Sequence, residues 1–118
     1  MNGITKLTDL DETHISRGTV FRLPAKWPYE DIVEFMIYET LDESRPFGLI
    51  VTTGYKAGLI LVELPPESVT GEANGLSTTW VIDNWSTWIY PDSPVDQVRV
   101  FRSTVPSALD EESNLPPS

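Results

Sequence analysis

Hydrophobic and polar positions alternate along much of the first two thirds of the chain. Ile15–Leu23 puts Thr19, Phe21 and Leu23 on one side and Gly18, Val20 and Arg22 on the other, which predicts a strand. Pro24 and Pro28 bracket Lys26 and Trp27 and stop regular structure, because proline lacks an amide proton and restrains the residue before it. Ile32–Glu39 is rich in β-branched and aromatic residues. A period of two places Val33, Phe35 and Ile37 on one face and Ile32, Glu34, Met36 and Tyr38 on the other. A helix over 30–41 is the competing reading, since Ile32, Phe35, Met36 and Glu39 also approximate helical spacing, but the residue types favour a strand.

Phe47–Thr53 and Leu59–Leu64 are apolar runs joined by the glycine-bounded link Gly54–Gly58, which predicts a hairpin at the centre of an antiparallel sheet. Beyond Pro65 and Pro66 the period changes. Ser77 is a candidate N-cap for a helix from Thr78 to about Ile89, with Val81, Ile82, Trp85, Trp88 and Ile89 on one apolar stripe. Val95–Arg102 predicts a last strand, and from Ser103 onward proline, serine and acid replace the pattern. The expected architecture is α+β: an antiparallel sheet of about five strands with one Trp-rich helix packed on one face. Residues 1–102 form the single expected domain and 103–118 an acidic, proline-rich mobile tail. One face of such a sheet lacks a covering helix, and Glu34, Met36 and Tyr38 are expected to share it with Leu59, Leu61 and Glu63. Apolar side chains rimmed by carboxylates make a protein-binding patch.

Charge sharpens this picture. At 118 residues the chain carries 18 acids against 8 Lys and Arg, a net charge of −10. Nucleic acid and anionic membrane are poor partners for such a chain, because their affinity comes from cationic side chains displacing counterions. A basic protein fits better. The acid is unevenly placed: residues 30–43 hold Glu30, Asp31, Glu34, Glu39, Asp42 and Glu43 and no base at all. With Tyr38 in the same segment, these seven are the candidate partner-binding residues.

Candidate chemistry is sparse. There is one histidine, His14, and no cysteine, so thiolate nucleophiles, disulfides and His/Cys metal sites have no material. No nucleophile elbow, phosphate loop or calcium loop occurs, so neither catalysis, a metal nor another cofactor is expected. Trp27 and Trp80, if exposed, suit a sugar-binding or small-ligand module using the open sheet face, the alternative to a protein interface. The first residues contain no apolar run of signal-peptide length and no stretch reaches a membrane span, which predicts a cytoplasmic protein.

Three segments together resemble a known family. Arg17–Tyr29 (RGTVFRLPAKWPY), the hairpin Val51–Gly58 (VTTGYKAG) and Trp85–Pro91 (WSTWIYP) resemble the immunity protein 45 family of bacterial polymorphic toxin systems, over roughly residues 7 to 102. The resemblance implies a small cytoplasmic antitoxin that binds and neutralises a cognate toxin domain. It transfers no catalytic or binding residue. The acidic block independently suits an inhibitor of a basic enzyme such as a nuclease, occluding its active site.

Overall fold

In a computed structural model of the chain, residues 4–26, 30–69 and 75–101 are described. The predicted tail 103–118 and Trp27 lie outside them. Eight strands occur among the described residues: β1 (Ile4–Lys6), β2 (His14–Ile15), β3 (Val20–Pro24), β4 (Ile32–Glu39), β5 (Phe47–Val51), β6 (Ile60–Glu63), β7 (Leu76–Ser77) and β8 (Arg99–Phe101). Six of them form one antiparallel sheet in the order β1-β8-β3-β4-β5-β6, while β2 and β7 pair in a small second ladder.

Segment 32–39 is a strand, as its β-branched content predicts, and its burial alternates without a fault from Val33 to Ile37. The hairpin strands β5 and β6 also pair as expected. They do not lie at the centre: β6 is an edge, and β3 and β4 are the middle of the sheet. The strand expected over 15–23 divides instead between two sheets. Gly18, at φ 86, takes a left-handed conformation that side chains disfavour and so turns the chain between β2 and β3. The sixth strand of the main sheet, β1, is three residues long and has no alternation to announce it. The last strand is shorter than predicted, because Val95–Gln97 closes a tight helical turn before β8.

The helical region also departs from expectation. The α-helix α1 spans only Thr78–Asp83. Ser77 caps it as predicted, its Oγ accepting the Trp80 amide at 3.2 Å. Asn84 then ends it: its backbone amide and its side-chain Nδ2 both donate to the Trp80 carbonyl, each at 2.9 Å. The chain continues through a wider, π-type turn over Trp85–Ile89, in which Tyr90 N–H reaches back five residues to the Trp85 carbonyl. Weak helix formers explain the interruption. Thr, Val, Ile, Trp, Ser and Asn dominate 77–89, so packing rather than propensity decides its backbone.

The core lies between one face of the sheet and this helical region. Phe21, Leu23, Val33, Phe35, Ile37, Leu49, Val51 and Val100 from the sheet meet Leu7, Ile15, Leu76, Val81, Trp85 and Ile89. Trp85 is 1% exposed and sits edge-on to Phe21, ring centroids 5.5 Å apart at 88°. Each fully buried side chain of this size contributes about 1.5–3 kcal/mol through removal from water.

Candidate functional site

The opposite face of the main sheet is covered by no element among the described residues, and the register of its strands writes a pattern on it. Phe101 pairs with Val20, Val20 with Met36, Met36 with Ile50 and Ile50 with Ile60. These five apolar side chains form one continuous row across five strands, roughly 20 Å long at the spacing of adjacent strands. Four are half-buried by one another, and Ile60, at the β6 edge, is 57% exposed. Ile32 adds a further exposed apolar side chain two residues along β4 from Glu34. A bulge between Leu49 and Ile50 sets the phase of β6. It sends Leu61 and Val62 towards the core, so Ile60 and Glu63, in place of the expected Leu59, Leu61 and Glu63, share the open face with Glu34, Met36 and Tyr38.

Polar rows flank the apolar one on both sides. On one side Tyr38, Gly48 and Glu63 are in register across β4, β5 and β6. A Cβ on Gly48 would stand 2.8 Å from the Tyr38 ring, so the missing side chain is what lets that ring lie across the neighbouring strand. From there the Tyr38 hydroxyl donates to Glu63 Oε2 at 3.3 Å. Partial burial, and then the Glu63 carboxylate, hold the Tyr38 phenol above the ordinary tyrosine range. On the other side Lys6, Arg99, Arg22 and Glu34 are in register across β1, β8, β3 and β4. Arg22 Nε lies 3.7 Å from Glu34 Oε2 and its guanidinium 5.8 Å from the centre of the Phe101 ring. Between Arg22, Pro24, Ile32, Gln97, Arg99 and Phe101 opens a cavity of about 380 Å³.

The seven residues expected from sequence are not one cluster. Glu34 and Tyr38 stand on the open face, either side of Met36. Glu39 has the phase of the core residues, leaves the sheet at its end and pairs with Arg17 Nη1 at 3.1 Å. Asp42 and Glu43 are exposed in the turn between β4 and β5. Asp42 accepts the Ser44 amide at 2.9 Å and the Ser44 hydroxyl at 2.7 Å, and these bonds lower its pKa below the usual carboxylate value. Glu30 and Asp31 are exposed at the other end of β4, with the Glu30 carboxylate against the backbone of Gly54. Eight extended residues separate those ends by roughly 23 Å, so an acidic block that is compact in sequence becomes the two ends of an interior strand.

Trp80 does not join this face. It packs half-buried against the core beside Trp88, centroids 5.9 Å apart, on the covered side of the sheet. His14 is half-buried in the small ladder opposite Ser77. No group of three His, Cys, Asp or Glu able to hold a metal ion occurs among the described residues. Sequence reasoning missed the apolar row beyond Met36 and the cations Lys6, Arg22 and Arg99. The alternation of β3 placed Val20 and Arg22 together, but nothing local brings residues 6, 22 and 99 onto adjacent strands.

No curated protein and no solved structure matches the chain. Of the three stretches Arg17–Tyr29, Val51–Gly58 and Trp85–Pro91, the described part of the first, residues 17–26, contains β3, the second links β5 to β6, and the third contains the π-type turn. Residues 7–100, which include all of them, match the family model described as Immunity protein 45, and the chain belongs to that family.

Proposed function

We propose that this chain is an antitoxin that binds the toxin domain of a cognate partner with the open face of its sheet and neutralises it by occluding the active site. The observation that carries this reading is the five-residue apolar row bounded on both sides by charged and polar side chains. An apolar centre with a polar rim is the anatomy of a specific protein interface. Family membership supports the immunity role, and the chain acts by stoichiometric binding, without catalysis or a cofactor.

The toxin is basic, such as a nuclease, and the encounter takes place in the cytoplasm. With a net charge of −10 the chain attracts a cationic active-site cleft from a distance. Glu63, Asp42 and Glu43 stand towards one end of the open face, where they oppose the cations that would otherwise hold substrate phosphates. Glu30 and Asp31 extend the acidic border at the far end of β4. Met36 and its apolar neighbours then provide the centre that excludes water.

The test is neutralisation by the purified chain of the toxin domain encoded beside its gene. A one-to-one complex of nanomolar affinity is expected, with an association rate falling at least about tenfold from low to high salt. Failure of the chain to protect cells that produce this toxin domain would overturn the reading. A rate independent of salt would remove the acidic steering.

A further inference from the structure

The cation row is anomalous for this chain. Three of its eight Lys and Arg, at positions 6, 22 and 99, stand side by side across β1, β8 and β3, and Glu34 is the single acid in that row. Arg22 and Arg99 are directly opposite each other, which puts their Cβ atoms about 5 Å apart, and like charges so placed destabilise a sheet. Arg22 is half-compensated by Glu34 and the Phe101 ring. Arg99 is exposed and has no acidic partner among the described residues. Arg22 and Arg99 both line the cavity of about 380 Å³, whose other walls are the apolar Leu23, Pro24, Ile32 and Phe101 and the polar Gln97.

Resting on the antitoxin reading above, we propose that this cavity receives a carboxylate side chain of the toxin domain, gripped between Arg22 and Arg99, with an apolar toxin residue against Phe101 and Ile32. Guanidinium forks match a carboxylate through paired hydrogen bonds, and Gln97 offers a further donor at the rim. A polyanion is the wrong occupant, since the chain's charge of −10 repels it at long range. One carboxylate on a predominantly basic toxin suffers no such repulsion. Acids stand at both ends of β4, Glu30 and Asp31 at one and Asp42 and Glu43 at the other, whereas the three cations gather at the Lys6–Arg22 corner alone. A partner that meets this corner with its carboxylate therefore docks in one orientation only.

The experiment is a charge swap between the two proteins. Arg99→Glu places an acid between Lys6 and Arg22, so it is expected to raise the melting temperature of the free chain by roughly 1–5 °C. The same substitution is expected to weaken toxin binding on the order of a hundredfold, and Arg99→Gln about tenfold. One Asp→Arg or Glu→Arg change on the toxin then restores binding to the Arg99→Glu chain. Affinities within threefold of wild type for both variants would overturn the carboxylate site and leave the antitoxin reading intact. A loss that no acidic position of the toxin rescues would overturn it too. A toxin domain that does not bind the wild-type chain removes the antitoxin reading and this site with it.

Discussion

Tyr38 shows how one side chain on the open face ties sequence, packing and electrostatics together. Its ring needs the bare backbone of Gly48 to lie across β5, and only from there does its hydroxyl reach Glu63. Burial and the carboxylate both favour the protonated phenol, so the folded state holds that proton more tightly than the unfolded chain does. The stabilisation is therefore complete below the ordinary tyrosine pKa of about 10 and is lost as pH rises through the folded value. Tyr38→Phe keeps the ring and removes the bond, at an expected cost of about 0.5–1 kcal/mol near neutrality. Denaturation measured across the alkaline range should show wild-type stability falling more steeply with pH than that of the variant. Parallel curves would mean that the phenol is not coupled to folding.

The elements divide the molecule into two faces with different tasks. On the covered side Val81, Trp85, Ile89 and Tyr90 serve the core, with Ile82 and Trp88 packed against it. Trp85→Ala is expected to cost about 3–5 kcal/mol, a large share of the roughly 5–15 kcal/mol that a domain of this size has in total. Trp80→Ala, at a half-buried position, is expected to cost about 1–2 kcal/mol. Urea denaturation checks both, and neither change should alter toxin affinity by more than about threefold for chains that remain folded. The strands β3 and β4 were legible because a period of two survives in a short window, and β5 and β6 because two apolar runs flank a glycine-bounded link; the sharing of one face by Glu34, Met36 and Tyr38 was legible too. The division of 78–89 was not, since the same apolar stripe suits an α-helix and an α-helix followed by a wider turn. Periodicity reports burial, whereas Asn84 decides the hydrogen bonding. Strand order was equally hidden. The sheet joins β1 and β8, from opposite ends of the described chain, next to β3, and only that pairing assembles the row Lys6–Arg99–Arg22.

For the whole molecule, the net charge matters less than its geography. The base-free stretch 30–43 supplies six of the eighteen acids, yet β4 carries it through the sheet interior and delivers its charges to opposite ends. Between them the strand contributes Met36 to the apolar row and Glu34 and Tyr38 to its two borders. In the proposed complex, long-range attraction falls to the acidic ends, orientation to the cation corner and binding strength to the apolar centre. Met36→Glu tests that centre most directly. It introduces a charge at a half-exposed position, with folding monitored by circular dichroism and affinity for the cognate toxin domain measured by titration calorimetry. A folded chain is expected, with an affinity at least about a hundredfold lower than that of wild type. A folded Met36→Glu chain that binds the toxin within threefold of wild type would contradict that role of the apolar centre.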